Sequence, residues 1–273
     1  MLPFYKMQGA GNDFIIINNM ELDYSPEELS ALTKQVCQQR FSVGSDALMA
    51  VDYPEHGGDF KMRFYNADGS EAEMCGNGAR CLARYAYEQQ LAGAEMTIET
   101  VAGDVKAWRL TEREYKIELN APTVVEFDRD FADTKVTKVD YIELGNPGIP
   151  HLVVAYPGLA TTDLVDLRDL ARRLRFWEVL PKGANVNFYE IIDGQVIVRT
   201  FERGVEDFTL ACGTGSGSTA YTLVQKGLVP ESSVSLNVLG GVLKVEVEAE
   251  HLYLIGDTNI VIEGQIRDEN LTV

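Results

Sequence analysis

Met74-Cys75-Gly76-Asn77-Gly78 and Ala211-Cys212-Gly213-Thr214-Gly215 are one short unit written twice in the same chain. In each, a cysteine is followed by Gly-x-Gly, a run that predicts a tight backbone turn opening into a helix. The match continues on either side at a nearly constant offset. Gly9 ahead of the Phe14–Ile17 run parallels Gly148 ahead of Leu152–Ala155, Gly44-Ser45-Asp46 parallels Gly183-Ala184-Asn185, and Thr97–Lys106 parallels Ser235–Lys244. An internal repeat of this length predicts two similar halves. If the halves face each other, the two cysteine loops meet across one cleft.

The length of 273 residues suits two domains, expected here as 1–121 and 122–264, with a tail from about 265 to 273 free to return to the first. A hydrophobic content of 45% with 24% charged residues is that of a globular protein. The net charge of −18 leaves no basic surplus to neutralise phosphates, which argues against nucleic acid and against an anionic membrane as partners. The opening MLPFYKMQGAGNDF lacks a long apolar core and a small-residue cleavage site, so a cytoplasmic location is the default expectation. Cys37, Cys75, Cys81 and Cys212 fit neither a disulfide framework nor a zinc spacing, and no bound metal is expected.

Strands are predicted over Phe4–Asn19 around the Gly9–Asp13 loop, Ala47–Tyr53, Phe60–Tyr65, Thr97–Val101, Asp104–Leu110 and Glu114–Asn120. A helix follows Ser25, with Pro26 at its first position, Glu28 completing a capping box and Leu29, Leu32 and Val36 on one face. Ala79–Gln90 is a second helix, and Ala121-Pro122 marks the boundary. The second half repeats the plan. It has strands at Tyr141–Leu144, His151–Tyr156, Val186–Ile192 and Val196–Phe201, helices at Leu164–Arg175 and Ser216–Lys226, and three further strands through Val245, Leu252 and Ile260. The expected fold class is α+β: two pseudo-symmetric domains, each a curved, mostly antiparallel sheet or barrel around a long helix, with the active site in the cleft between them.

A cysteine at a helix start sits at the positive end of the helix dipole, which lowers a thiol pKa, and the freed N–H groups there cradle a carboxylate or phosphate. An ionised Cys75 or Cys212 is a base and a protonated one an acid. Such a pair on opposite sides of one carbon could remove a proton from one face and return one to the other, without metal or organic cofactor. Gly213–Thr219 lacks the lysine of a phosphate-binding loop. Thiol exchange between the same two cysteines is the competing reading, although they are not C-x-x-C.

Asn66-Ala67-Asp68-Gly69-Ser70 running into Met74–Cys81, with Glu202-Arg203-Gly204 ahead of the Cys212 loop and Gly9–Phe14 at the start, closely resembles the diaminopimelate epimerase family over essentially the whole chain. The resemblance implies cofactor-independent interconversion of LL- and meso-2,6-diaminopimelate, in lysine and peptidoglycan synthesis. By position, Cys75 and Cys212 would be the acid/base pair. Gly76, Asn77, Gly213 and Thr214 would hold the reacting carboxylate. Asn12, Asn66, Asn185 and Arg203 would engage the distal end, Glu202 would bind the substrate at its amino group, and Glu202 and His151 would modulate the cysteine pKa values. A small amino acid is the expected partner and a homodimer the expected assembly.

The chain departs from the family pattern at three places. Aligned on His151, Ile149 stands where an asparagine is usual; Ala47 replaces a glutamine and Phe208 a glutamate. These changes leave the acid/base chemistry intact and bear on the substrate. A racemase of another polar amino acid, such as histidine, stays open at this level, as does a thiol redox or ligand-binding protein.

Overall fold

The computed structural model describes residues 1–230, 232–267, 269 and 271. Its strands and helices run, in chain order, β1 (Leu2–Gly9), β2 (Asn12–Asn18), α1 (Asn19–Leu22), α2 (Pro26–Val36), β3 (Ala47–Asp52), β4 (Phe60–Asn66), β5 (Glu71–Ala72), α3 (Gly76–Glu88), β6 (Glu95–Thr100), β7 (Gly103–Arg109) and β8 (Glu114–Leu119). They continue with β9 (Pro122–Asp130), β10 (Lys138–Leu144), β11 (Ile149–Ala155), α4 (Leu164–Arg175), β12 (Asn185–Ile192), β13 (Gln195–Phe201), α5 (Gly213–Gln225), β14 (Ser233–Val238), β15 (Gly241–Glu248), β16 (His251–Asp257) and β17 (Asn259–Ile266). No helix among the described residues is long and apolar enough to cross a membrane.

The chain separates into two compact units, one of Met1–Ile117 with the segment from Gly256 onward, the other of Glu118–Ile255. In the first, strands pair in the order β17-β1-β2-β3-β4-β6-β7-β8, with short β5 beside β4. In the second the order is β9-β10-β11-β12-β13-β14-β15-β16. Pairing is antiparallel except at β2–β3 and β4–β6 in the first unit and β11–β12 and β13–β14 in the second. Each parallel pair is bridged by a helix, since a parallel connection needs a crossover. β17 stands to β1 as β9 stands to β10. The segment from Gly256 therefore belongs with the first unit, earlier than the sequence division near 265.

Local signals account for the crossover helices. Ser25 accepts from Glu28 N while the Glu28 carboxylate accepts from Ser25 N at 2.8 Å, closing the capping box. Leu29, Leu32 and Val36 of α2 then pack on Ile15, Ile17 and Leu48. Asp163 caps α4, whose Leu167, Leu170 and Leu174 pack on Leu152, Val154, Val186 and Phe188. Each fully buried Leu contributes about 1.5–3 kcal/mol from the apolar surface it removes from water.

The other pair of helices, α3 and α5, is enclosed. Residues Gly76 to Ala86 of α3 are all buried, and the helix touches β1, β2, β3, β6 and β7; α5 touches the matching set β10, β11, β12, β14 and β15. Small side chains permit this closeness: a Cβ on Gly217 would stand 2.7 Å from Leu119 Cδ1. The α+β expectation, two similar sheet-rich domains each holding a long helix, describes the fold.

Several details differ from the sequence reading. α3 and α5 start at Gly76 and Gly213, three residues earlier than expected at Ala79 and Ser216, so each cysteine is itself the N-cap. β5, β9 and β14 are strands beyond those the sequence pattern predicts. Register also moves the repeat by one residue: Phe14 pairs with Ala47, and His151 with Asn185, so Phe14 corresponds to His151 and Ala47 to Asn185.

Candidate active site

In the first unit, β4 ends at Asn66 and the chain turns back through β5 to Cys75, extended at φ −130° and ψ 121°. The Cys75 thiol donates to Asn12 Oδ1 at 3.4 Å. Asn12 is oriented from behind, because its Nδ2 donates to Asp46 Oδ2 at 2.6 Å, which leaves the amide oxygen for the sulfur. Asp46 Oδ2 also accepts from Asp13 N, and Asp13 pairs with Lys6 at 2.7 Å. Gly76 and Asn77 open the helix; Asn77 is buried and its Oδ1 accepts from Arg80 Nη2 at 3.1 Å. Asn66 is exposed and its side chain donates to Ser70 Oγ at 3.1 Å, within its own turn.

The second unit builds the same feature with different polarity. Cys212, extended at φ −115° and ψ 115°, caps α5, and its sulfur accepts from Gly215 N at 3.3 Å, with Thr214 Oγ1 at 3.6 Å. An N–H aimed at sulfur favours thiolate, whereas the Cys75–Asn12 contact needs the thiol hydrogen.

Asn185 Oδ1 accepts from Arg203 N at 2.8 Å, and its Nδ2 donates to Pro150 O at 3.3 Å. Asn185 and Arg203 are thus brought together, while Arg203 Nη1 lies 3.4 Å from Lys182 O. The Glu202 carboxylate accepts a short bond from Thr209 Oγ1. His151 is wholly buried, with Nδ1 3.3 Å from Asn187 Nδ2. Burial and, secondarily, the Arg203 charge push its pKa down to about 3, so the ring is neutral.

The three departures have structural counterparts. Ile149 pairs with Leu144 at the start of β11, Ala47 is buried, and Phe208 meets Phe201 edge-on at 5.5 Å in the apolar core of the second unit.

Four residues escape the sequence reading. Asp46 orients Asn12, and Asn187 and Thr200 lie under the Cys212 loop. Arg80 is fully buried, and its Nε and Nη1 have no hydrogen-bond partner among the described residues. Asn187 and Arg80 carried a signal, since each is a polar residue amid an apolar strand or helix face and is costly to bury.

The profile of the family described as diaminopimelate epimerase matches residues 4–124 and 144–261. The chain belongs to the diaminopimelate epimerase family. A diaminopimelate epimerase of Archaeoglobus fulgidus is 36% identical over 279 residues, spanning 97% of this chain and 96% of that protein. One from Aquifex aeolicus is 37% identical over 288 residues, spanning 99% of each. Among solved structures, a probable proline racemase from Agrobacterium radiobacter K84 aligns with a TM-score of 0.70 at 16% identity, covering 97% of this chain and 92% of that one, which shows a shared fold. For a diaminopimelate epimerase family member, both cysteine loops stand at helix starts and both are built from equivalent strands.

Proposed function

We infer that the protein is a diaminopimelate epimerase, interconverting LL- and meso-2,6-diaminopimelate, and that Cys75 and Cys212 act on one α-carbon from its two faces. The observation that carries the chemistry is the pair of equivalent cysteine-capped helices, one sulfur donating to Asn12 and the other accepting from Gly215. In one direction the thiolate of one cysteine takes the α-hydrogen as a proton and the thiol of the other delivers its own to the opposite face. Microscopic reversibility exchanges the roles in the return direction.

The backbone N–H groups of Gly76, Asn77, Gly213 and Thr214 hold the reacting carboxylate, whose negative charge suits the helix starts and grows as the carbanion forms. Asn12, Asn66, Asn185 and Arg203 engage the distal amino-acid end, the guanidinium giving a two-pronged donor to its carboxylate. Glu202 and neutral His151 tune the cysteines by hydrogen bonding. No pyridoxal phosphate or metal takes part in this reading. Cys37 and Cys81 are free thiols, which suits the reducing cytoplasm we propose for the reaction. A homodimer is part of the proposal, and analytical ultracentrifugation checks it.

Proton NMR in deuterated water tests the reading. Deuterium should enter Cα of LL- and meso-diaminopimelate, and activity should survive exhaustive chelation. C75S and C212S should each retain exchange from the stereoisomer served by the remaining cysteine, with opposite preferences. Exchange into histidine but not into diaminopimelate would move the substrate assignment, and equal exchange of both stereoisomers by either variant would sink the two-base scheme.

A further inference from the structure

The two cysteine loops are equivalent in backbone, yet they rest on opposite kinds of floor. The third residue of α3 is Gly78, and a Cβ there would meet Met49 Sδ at 2.9 Å and Phe14 Cε1 at 3.4 Å. Met49 pairs with Phe64 across β3–β4, and Phe14 meets Phe64 with ring centroids 6.2 Å apart. Phe14, Met49 and Phe64 are all buried, so the Cys75 loop stands on an apolar trio.

The third residue of α5 is Gly215, and a Cβ there would stand 2.1 Å from Asn187 Oδ1. By register Asn187 takes the place of Met49, Thr200 that of Phe64 and His151 that of Phe14. These three are equally buried but hydrogen-bonded. Asn187 Nδ2 donates to Leu152 O at 3.0 Å and faces His151 Nδ1 at 3.3 Å; Asn187 Oδ1 accepts from Thr200 Oγ1 at 3.0 Å.

The donor pattern fixes the histidine. A backbone carbonyl can only accept, so the Leu152 contact requires the NH2 end of the Asn187 amide on that side. His151 Nδ1 then faces an N–H and must accept it, which puts the ring hydrogen on Nε2. Protonating Nδ1 would set two donors against each other, on top of the cost of burying charge. Among the described residues, the charged group that acts on His151, second to burial, is Arg203. Nε2–H is buried and has no protein acceptor among the described residues.

We propose that Asn187 is a positioning residue of the second half-site: its amide locks His151 as the neutral Nε2–H tautomer and supports the first turn of α5 at Gly215. Cys212 thereby works over a polar floor with a fixed hydrogen-bond donor, and Cys75 over an apolar one. The kinetic part rests on the two-cysteine reading above; the tautomer does not.

Long-range nitrogen-15 correlation spectra of the full-length protein, with His151 assigned through H151F, read the ring directly. The unaltered protein should show Nδ1 bare and Nε2 protonated at neutral pH. N187M, which copies the first unit's residue, should lose that preference. T200V, nearly isosteric, frees the amide to rotate and should weaken it, and serves if N187M does not fold. In the kinetic arm, deuterium exchange should fall about ten-fold when N187M is added to C75S, where Cys212 is the remaining base. It should change less than about two-fold when added to C212S. An Nδ1–H or imidazolium ring in the unaltered protein, or a tautomer indifferent to both variants, overturns the lock. Equal losses in the two serine backgrounds overturn the link to Cys212 alone, and absence of exchange by the unaltered protein refutes the epimerase reading while leaving the tautomer result standing.

Discussion

Adding one methyl group to Gly215, and the same group to Gly78, should give unequal results. A Cβ at Gly215 stands 2.1 Å from Asn187 Oδ1, whereas one at Gly78 stands 2.9 Å from Met49 Sδ. The thioether is unbranched and flexible and can swing aside. The amide cannot move without giving up its bonds to Leu152 O, His151 Nδ1 and Thr200 Oγ1. At about 1 kcal/mol net for each bond the loss is about 3 kcal/mol, and the better helix propensity of alanine returns about 1 kcal/mol. G215A should therefore destabilise the second unit by about 2 kcal/mol. For G78A the same propensity gain works against mild overpacking, leaving a change of about 1 kcal/mol or less in the first unit. Trp108 and Trp177 lie one in each unit. Urea unfolding followed by fluorescence in W177F and W108F backgrounds thus reads the units separately. With a slope of about 2 kcal/mol per molar urea, G215A should lower the Trp177 midpoint by about 1 M. A G78A loss equal to or larger than that of G215A would refute the reasoning.

His151 makes stability depend on pH. Its unfolded imidazole takes up a proton below about 6.5 and its folded ring only near 3, so the unfolded state gains protons first and stability falls as pH drops through that window. The contribution is about 1.4 kcal/mol per pH unit, and H151F should unfold along a curve shallower by that slope between pH 6 and 4; parallel curves would contradict it. Burial pushes the Cys37 and Cys81 thiols up to about 12, so iodoacetamide at neutral pH should label Cys75 and Cys212 and spare the other two in native protein, as peptide mapping would show. Lys226 Nζ contacts Asp128 at 2.8 Å and buried Asp140 at 3.0 Å. K226M should cost about 1–3 kcal/mol by leaving the Asp140 charge without its cation, and K226M/D140N should recover part of it in thermal unfolding. A double variant no better than the single one would show that the charge is not the cause.

Much of this protein is written locally. Ser25, Pro26 and Glu28 specify the start of α2 within four positions, and the Leu167, Leu170, Leu174 stripe specifies α4 with the limits the pattern predicts, Leu164–Arg175. The two Cys-Gly-x-Gly units, and the family to which they belong, are likewise legible without coordinates, because a cap and a tight turn depend on adjacent residues only. Where glycines open a buried helix the local rule misleads. Gly76–Gly78 and Gly213–Gly215 read as turn, yet they are the first turns of α3 and α5, since close packing against a sheet needs the missing side chains. β9 escapes for the opposite reason: none of its residues is fully buried, so it shows no alternation and is held by pairing with β10. That β17 completes the sheet beside β1, that Arg80 lies wholly buried, and that Asn187 rather than a second methionine lies under Gly215 were decided by tertiary structure alone. Strand register and close approach join residues far apart in the chain, and no pattern of neighbouring side chains encodes the distance between them.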